Sequence, residues 1–416
     1  MGNDADSQPY IDFVPVPDGG VTSPLGFRAG GLHCGLKKNG GLDLGAIVCD
    51  VPAAAAAVCT TNRFQAAPLA VTRDSLAREG RLRAVVVNSG NANACTGRQG
   101  EEDARATRAA LAAALGIPEH HVAVASTGVI GVPLDMTAVR SGIERLKDRL
   151  AADAEGAKAF GEAIMTTDTV RKTACARLEL DGRTVTVGGA AKGAGMIHPN
   201  MATMLAFITT DAAVSPSVLQ ELLKETVDGT FNMVTVDGDT STNDMVVVMA
   251  SGLAGNSPLK PDHPDWDAFA GAFAHVLEHL AKEIARDGEG ATKLLEVRVT
   301  GAKSDEAARA IAKTVLGSSL VKTAVFGADA NWGRIIAAVG RAGWPVNTET
   351  VDIRIGDIVM LEQSRPVPFD EAAAAEYLKT DMIVIRIDLH DGDGQAVGWG
   401  CDLTYEYVRI NAAYRT

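Results

Sequence analysis

The stretch Gly188–Asp211, GGAAKGAGMIHPNMATMLAFITTD, constrains the fold more than any other part of the chain. Its first half is small and glycine-rich, with one lysine, Lys192, and a Pro-Asn pair that favours a turn. Its second half, Met204–Thr209, is a short apolar run ending in threonines, which predicts a buried strand. Thr203 therefore lies where a glycine-rich loop enters a strand.

Thr203 has the position and the chemistry of a nucleophile. If the Ala202–Thr203 peptide bond is cleaved, Thr203 gains a free α-amine beside its hydroxyl. That amine can act as the base that activates the hydroxyl. The alternative is an ordinary strand threonine, because β-branched residues are enriched in strands. Residue chemistry alone leaves both interpretations open.

Composition and charge exclude several classes of protein. Of the 416 residues, 46% are hydrophobic but only 5% are aromatic, which predicts an aliphatic core. The net charge of −13 argues against a nucleic-acid or anionic-membrane surface. No apolar run approaches a membrane span, and the polar start MGNDADSQPY is unlike a signal peptide. The six cysteines form no C-x-x-C pair. We therefore expect reduced thiols, a cytoplasmic location and neither a nucleic-acid nor a membrane partner.

The order of predicted elements favours two domains. We expect a loose arm over residues 1–20, a catalytic domain over 21–290 and a smaller C-terminal domain over 291–416. Strands often follow one another as hairpins, for example around Asp181-Gly182. This order favours antiparallel or mixed sheets covered by helices over a doubly wound parallel sheet. In the C-terminal part, residues 322–326 are predicted to form a strand.

Metal and nucleotide chemistry have little support. The eight histidines include no HExxH motif and no histidine–cysteine cluster. The acidic segment Asp237–Asp244 resembles a calcium loop but lacks glycine at loop position six, and Val248 stands where position twelve needs glutamate. Lys192–Gly195 fits neither a P-loop nor a dinucleotide-binding motif. We expect no metal site and no cofactor.

Acyl transfer has better candidates. It needs a nucleophile, a base, a site for the oxyanion and a substrate clamp. Thr203 and its amine would supply the first two. Ser126-Thr127-Gly128 follows a predicted strand, and such a turn can offer N–H groups and a hydroxyl to a developing oxyanion. Lys192 could bind a carboxylate and Glu289 an ammonium, although lysine and glutamate are more often simply solvated charges.

Several segments, in the same order along the chain, resemble the ornithine acetyltransferase (ArgJ) family. The two most specific strings are KGAGMIHPNMATML and VTVDGDTSTNDM. The matching segments are Thr127-Gly128, Met165–Thr169, Lys192–Leu205, Val234–Met245, Asp287–Thr292, Phe326–Arg334 and Tyr407–Thr416. The resemblance implies an α/β (α+β) fold, namely an N-terminal-nucleophile-like layered α-β-β-α sandwich of the DmpA/ArgJ type. It also implies a precursor that cuts itself between Ala202 and Thr203 into α (1–202) and β (203–416) chains.

The resemblance further assigns roles to residues and substrates. Thr203 would be the nucleophile, and Thr127 and Gly128 the oxyanion hole. The residues expected to line the substrate site are Thr166, Lys192, Thr203, Glu289, Asn411 and Thr416. The implied reaction is transfer of acetyl from N2-acetyl-L-ornithine to L-glutamate in arginine biosynthesis, within an α2β2 assembly.

Three questions stay open at this level. The sequence does not decide whether acetyl-CoA is a second acetyl donor. The enzymatic alternative is an N-terminal-nucleophile aminopeptidase or amidase, with water as the acceptor. The non-enzymatic alternative is a self-cleaving binding module.

Overall fold

The computed structural model describes residues 13–198 and 204–413. Its strands, in chain order, are β1 (Phe13–Pro15), β2 (Phe27–Leu32), β3 (Leu44–Cys59), β4 (Arg81–Asn91), β5 (Val122–Val129), β6 (Lys172–Leu180), β7 (Arg183–Lys192), β8 (Leu205–Thr210), β9 (Val234–Thr235), β10 (Met245–Ala250), β11 (Leu294–Ala302), β12 (Asp352–Ile355), β13 (Ile358–Glu362), β14 (Arg365–Pro366), β15 (Met382–Asp388) and β16 (Gly394–Cys401). Its α-helices are α1 (Ala67–Glu79), α2 (Gly97–Leu115), α3 (Met136–Leu146), α4 (Ala154–Ile164), α5 (Pro216–Gly229), α6 (Trp266–Arg286), α7 (Asp305–Leu316), α8 (Ser319–Phe326), α9 (Trp332–Gly340), α10 (Glu371–Tyr377) and α11 (Tyr405–Ala413).

The long strand β3 joins two layers of one sheet. The strand order is β1-β6-β7-β8-β10-β3-β4-β5, and β2 also pairs with β3. Near its start β3 pairs with β2 and β4, and from Ala54 onward it pairs with β10. Its register with β4 shifts between Val48 and Ala53, a segment that contains Pro52. Such an irregularity bends a strand, and here one strand serves both layers.

The three largest hydrophobic cores of the described residues hold the layers together. One core lies between the two halves of the sheet, where Val85 and Val87 share a cluster with Phe207 and Val247. The outer face of β3–β5 carries a second core under α1, α2 and α3. The outer face of β6, β8 and β10 belongs to the third core, together with α5 and α6. The predicted layered α-β-β-α sandwich is confirmed.

A second sheet extends this third core. Its strand order is β14-β13-β12-β15-β11-β16-β9, and α7 packs on β11 and β16. Most of its strands follow residue 290, but β9, at Val234–Thr235, joins its edge by pairing with β16. The C-terminal sheet is therefore tied to the segment that precedes β10. None of the described helices has both the length and the hydrophobicity needed to cross a membrane.

Most local predictions are confirmed, but one strand is wrong. The strand predicted over Met204–Thr209 is β8, and the hairpin predicted around Asp181-Gly182 is formed by β6 and β7. Residues 322–326 are helical and belong to α8. Valine and threonine in this segment favour a strand, but Ser318 caps a helix by accepting from the Val321 N–H, and one face of α8 is buried. Tertiary packing thus outweighs a weak local propensity.

Candidate active site

A cavity of about 220 Å³ opens where the ends of β5 and β7 meet the loop after α6 and the helix α11. Of the residues predicted from the sequence, those that line this cavity are Thr127, Gly128, Thr166, Lys192, Glu289 and Asn411. Ala202, Thr203 and Thr416 lie outside the described residues. Met204, which follows Thr203 in the sequence, also lines the cavity. The predicted site residues therefore converge on one pocket, as far as they are described.

Strand pairing explains this convergence. Lys192 is the last residue of β7 and pairs with Leu205, the first residue of β8. Thr127 lies near the end of β5, in the other layer of the sandwich, and pairs with Ser89. The two layers thus present Lys192 and Thr127 to the same cavity from opposite sides.

Lys192 connects two threonine hydroxyls. Its Nζ donates to Thr166 Oγ1 at 2.7 Å and to Thr127 Oγ1 at 3.2 Å. An ammonium has no acceptor atom, so both hydroxyl oxygens must accept, and each hydroxyl proton is left to point elsewhere. Burial lowers the pKa of Lys192, and Asp168 opposes this by favouring its charged form. The arrangement supplies polarised hydroxyl donors at the pocket wall.

A buried ion-pair network lies behind Lys192. Asp168 accepts from Lys172 Nζ at 2.7 Å, from the Gly193 N–H at 2.6 Å and from the Thr166 N–H at 2.9 Å. Burial opposes ionisation of Asp168, but Lys192 and Lys172 outweigh it and lower the pKa to about 2. Lys172 also pairs with Asp287. The network fixes the backbone of Gly193, directly after the pocket lysine, and of Thr166, whose hydroxyl accepts from that lysine.

Sequence reasoning missed this network. Asp168 lies within the MTTDT string, but nothing in that string shows that Asp168 shares a buried network with Lys172 and Asp287. The available signal was a lysine at the start of an apolar strand, Lys172, because a buried lysine needs a partner. The partner Asp287 is 115 residues away in sequence, so spacing could not identify it.

The part of the pocket around Glu289 is acidic. Glu289 Oε2 accepts from Asn411 Nδ2 of α11 at 2.7 Å, and the Glu289 N–H donates to the Ala194 carbonyl at 2.9 Å. A Cβ on Gly195 would lie 2.3 Å from the Glu289 carboxyl group, so a larger residue here would displace that carboxylate. Asp237 lines the pocket too, and burial raises its pKa.

Gly128 has a conformation that other residues rarely adopt. Its φ is +133°, and a Cβ there would lie 2.4 Å from the Gly90 carbonyl carbon. A glycine is required because β4 passes directly against this position. The oxyanion role of Thr127 and Gly128 stays a prediction.

The fold and the pocket together define the structural class of this protein. The chain is a layered α-β-β-α sandwich with its polar site where the two sheet layers end. Residues 28–416 match the family model described as the ArgJ family. The chain belongs to the ArgJ family.

The relatives support this assignment over nearly the whole chain. A protein named arginine biosynthesis bifunctional protein ArgJ from Geobacillus kaustophilus is 62% identical over 96% of this chain and 97% of its own length. One of the same name from Halalkalibacterium halodurans is 60% identical over 97% of this chain and 98% of its own. The chain is also similar to a crystal structure of arginine biosynthesis bifunctional protein ArgJ from Bacillus halodurans. The two are 60% identical, and the alignment covers 51% of this chain and 100% of the solved chain at a TM-score of 0.50.

Proposed function

We propose that this chain is a glutamate N-acetyltransferase that moves acetyl from N2-acetyl-L-ornithine to L-glutamate through an acetyl-Thr203 ester. The observation that carries the proposal is the presence of opposite charges in one cavity. Lys192, with its two threonine hydroxyls, and Glu289 both line it. N2-acetylornithine has a carboxylate, an acetyl amide and a distal ammonium, which match a cation, hydroxyl donors and a carboxylate.

Self-cleavage prepares the nucleophile. The Thr203 hydroxyl attacks the Ala202 carbonyl, the peptide C–N bond breaks, and the hydroxyl proton passes to the departing amine. Water then hydrolyses the Ala202–Thr203 ester. The products are a chain that ends in the Ala202 carboxylate and a chain that begins with Thr203, whose amine serves as base.

Acetyl transfer then occurs in two steps. The Thr203 hydroxyl attacks the acetyl carbonyl of the donor, its proton reaches the leaving amine, and ornithine departs from an acetyl ester. The amine of glutamate attacks that ester, gives up a proton, and restores the hydroxyl as N-acetylglutamate leaves. Each step passes through a tetrahedral oxyanion.

The described residues can stabilise that oxyanion. The Thr127 hydroxyl accepts from Lys192, so its own proton is available to the developing negative charge. The lysine charge strengthens this donor because hydrogen bonds in a chain polarise one another. The Thr166 hydroxyl also accepts from Lys192, so its proton can be donated to the substrate carboxylate or amide.

Further parts of the proposal concern the oligomeric assembly and the acetyl donor. We propose an α2β2 assembly of the two cleavage products in the cytoplasm, with acetyl-CoA as a second acetyl donor and no cofactor. The solved chain from Bacillus halodurans spans 51% of this chain, close to the share that either cleavage product would contain. This match supports cleavage near the middle of the chain.

A donor–acceptor assay tests the function. Purified enzyme is given N2-acetylornithine or acetyl-CoA, with and without glutamate, and the products are separated. With N2-acetylornithine and glutamate we expect equal amounts of ornithine and N-acetylglutamate. Without glutamate, ornithine release should stop at one equivalent per enzyme, when the acetyl-Thr203 ester has formed. Acetate release that is independent of glutamate would instead identify an amidase, and no turnover would favour a binding module.

A further inference from the structure

The segment that leads into the predicted cleavage site is held by a second loop. Asp237 accepts from the Met196 N–H at 2.7 Å with one carboxylate oxygen and from the Ile197 N–H at 2.9 Å with the other. The Val236 N–H donates back to the Ile197 carbonyl at 2.7 Å. The loop therefore holds Met196 through its N–H and Ile197 through both its N–H and its carbonyl.

The next residue is held by the same loop. His198 Nδ1 lies 3.0 Å from Thr235 Oγ1, and the Thr240 hydroxyl donates to the His198 carbonyl at 2.8 Å. Met196 has φ +56°, which is unfavourable for a residue with a side chain. Such a conformation persists only where the surroundings impose it, and the contact with Asp237 does so here.

The residue after the site is held from the same part of the sequence. The Met245 N–H donates to the Met204 carbonyl at 3.0 Å, and Met245 pairs with Leu205 at the start of β8. The segment Val234–Met245, which we call the clamp, thus binds the chain on both sides of residues 199–203.

We propose that the clamp positions the Ala202–Thr203 bond for self-cleavage, with Asp237 as its main positioning residue. This inference rests on the self-cleavage in the proposed function. Attack of a hydroxyl on the preceding carbonyl requires the reacting atoms to approach to about 3–3.5 Å. Fixing the chain on both sides of the bond reduces the conformations that must be searched. A carboxylate is required because two N–H groups need two acceptors, and an asparagine would turn an NH2 group toward one of them.

The test compares cleavage rates of freshly synthesised full-length chain. Asp237→Asn should slow conversion to two chains by roughly 10–100-fold, as expected for a misplaced reacting group. Asp239→Asn is the matched control, since it removes a charge from the same loop but leaves the acceptors of Asp237 in place. It should cleave within about twofold of the wild-type rate. Thr235→Val, which removes the contact to His198, should also slow cleavage, to a lesser extent.

Hydroxylamine identifies the affected step, because it cleaves esters but not peptide bonds. If the clamp positions the attack, little ester forms in Asp237→Asn and hydroxylamine will not restore cleavage. Rapid cleavage of Asp237→Asn by hydroxylamine would show that ester formation is intact and would overturn the inference, as would cleavage at the wild-type rate. Thermal melting must show that the variant is folded, and Thr235→Val serves if it is not. An uncleaved wild-type chain would instead contradict the proposed function itself.

A separate cluster, away from the pocket, carries a second inference that is independent of the reaction. Glu79, the last residue of α1, meets two adjacent histidines that directly precede β5. His120 Nε2 lies 2.9 Å from one Glu79 oxygen, and His121 Nε2 lies 3.6 Å from the other. One ligand atom from each of the three residues lies within 4.8 Å of the others.

His121 is the unusual member of this cluster. Its side chain is 9% exposed, and neither ring nitrogen has a hydrogen-bond partner in the described part of the chain. A buried, unpaired polar nitrogen is costly and needs an explanation. The other three-residue cluster, around His263, differs because His263 Nδ1 accepts from the Asp265 N–H and Asp181 accepts from the Ser257 N–H.

We infer that Glu79, His120 and His121 bind a divalent transition-metal ion of the zinc, cobalt or nickel type. Two imidazoles and one carboxylate suit these ions, and solvent can complete the coordination. A bound ion would tie the end of α1 to the start of β5, the strand that carries Thr127. The role would be structural.

Calorimetric titration of the untagged full chain with zinc chloride tests this site. We expect one ion per chain, with binding at least tenfold weaker in Glu79→Gln and in His120→Gln. His263→Gln is the matched control and should bind as the wild type does. Absence of binding to the wild type, or equal binding by wild type and Glu79→Gln, would overturn the inference.

Discussion

The pocket wall around Lys192, which we call the Lys192 end, and the wall around Glu289, which we call the Glu289 end, are built in different ways. The Lys192 end belongs to the sandwich, because Lys192 ends a buried strand and Asp168, Lys172 and Asp287 form a buried network behind it. The Glu289 end is completed by α11, in which none of the described residues is buried. Tyr405 and Val408 of this helix are 83% and 64% exposed.

This difference separates stability from binding. Disturbing the Lys192 end affects the free energy of unfolding as well as catalysis, because the charges there depend on one another in a buried environment. Disturbing α11 removes contacts to Glu289 while the sandwich remains intact. The predictions below test this separation, beginning with the largest expected effect.

Thr127→Ala should have the largest effect on turnover at the Lys192 end. Loss of one donor to an oxyanion lowers kcat by about 10²–10³-fold, and the midpoint of urea unfolding should change little. Thr127→Ser is the control, because it keeps the hydroxyl and should retain most of the activity. Steady-state kinetics with N2-acetylornithine provide the measurement, and an unchanged kcat would remove Thr127 from the mechanism.

Asp168→Asn should have the largest effect on stability. Removing one partner of a buried ion pair leaves an uncompensated charge and costs about 3–5 kcal/mol of unfolding free energy. Urea unfolding measures the loss, and Asp262→Asn in the exposed pair with Lys260 should leave the unfolding midpoint unchanged. Similar midpoints for Asp168→Asn and the wild type would contradict a stabilising network.

The difference in stability between the wild type and Asp168→Asn should depend on pH. The folded protein holds the pKa of Asp168 at about 2, below its ordinary value of about 3.9. A depressed carboxyl pKa stabilises the folded state above the unfolded value, and this stabilisation disappears as the pH falls through the folded value. The advantage of wild type over Asp168→Asn should therefore be full above about pH 4 and shrink as the pH approaches 2.

Asn411→Ala should have a smaller effect, confined to substrate binding. It removes the amide that donates to Glu289, and a hydrogen bond of this kind is worth about 1 kcal/mol, or roughly fivefold in kcat/KM. Arg409→Ala, on the same helix and paired with Glu406, is the matched control. Lower stability of Asn411→Ala in urea would contradict the separation of the two ends.

His198→Gln should have no effect on the acid limb of the pH–activity profile of cleaved enzyme. Burial, reinforced by Lys313, lowers the pKa of His198 to about 4. The α-amine of Thr203 has an ordinary pKa of about 7.7–8.0 and must be neutral to accept the hydroxyl proton. Activity should rise with pH through the pKa of the amine in both proteins. Loss of the limb in His198→Gln would make the histidine the base.

The residues that line the pocket could be predicted from the sequence, but the buried network behind Lys192 could not. The resemblance of specific strings to the ArgJ family pointed to Thr127, Lys192, Glu289 and Asn411, and all four line one cavity. The network behind Lys192 could not be predicted, since its partners meet only after distant strands and helices pack. The change of layer within β3 was also invisible, because both halves of that strand have the same apolar composition.

Secondary structure was likewise predictable where it depends on local chemistry. Two helices begin at residues with a local capping mechanism: Ser215 accepts from the Val218 N–H at the start of α5, and Ser304 accepts from the Ala307 N–H at the start of α7. In α8 the local signal favoured a strand, and burial of one helix face decided against it. Local chemistry was predictable, whereas packing between distant segments was not.

The most direct test of the account is mass spectrometry of the chain that begins at Thr203 after brief incubation with N2-acetylornithine in the absence of glutamate. The account predicts that the peptide carrying Thr203 gains one acetyl group as a hydroxylamine-sensitive ester, and that adding glutamate removes it. Thr203→Ala should be neither cleaved nor acetylated. Turnover by the wild-type enzyme without acetyl on Thr203, or activity in Thr203→Ala, would contradict the central claim.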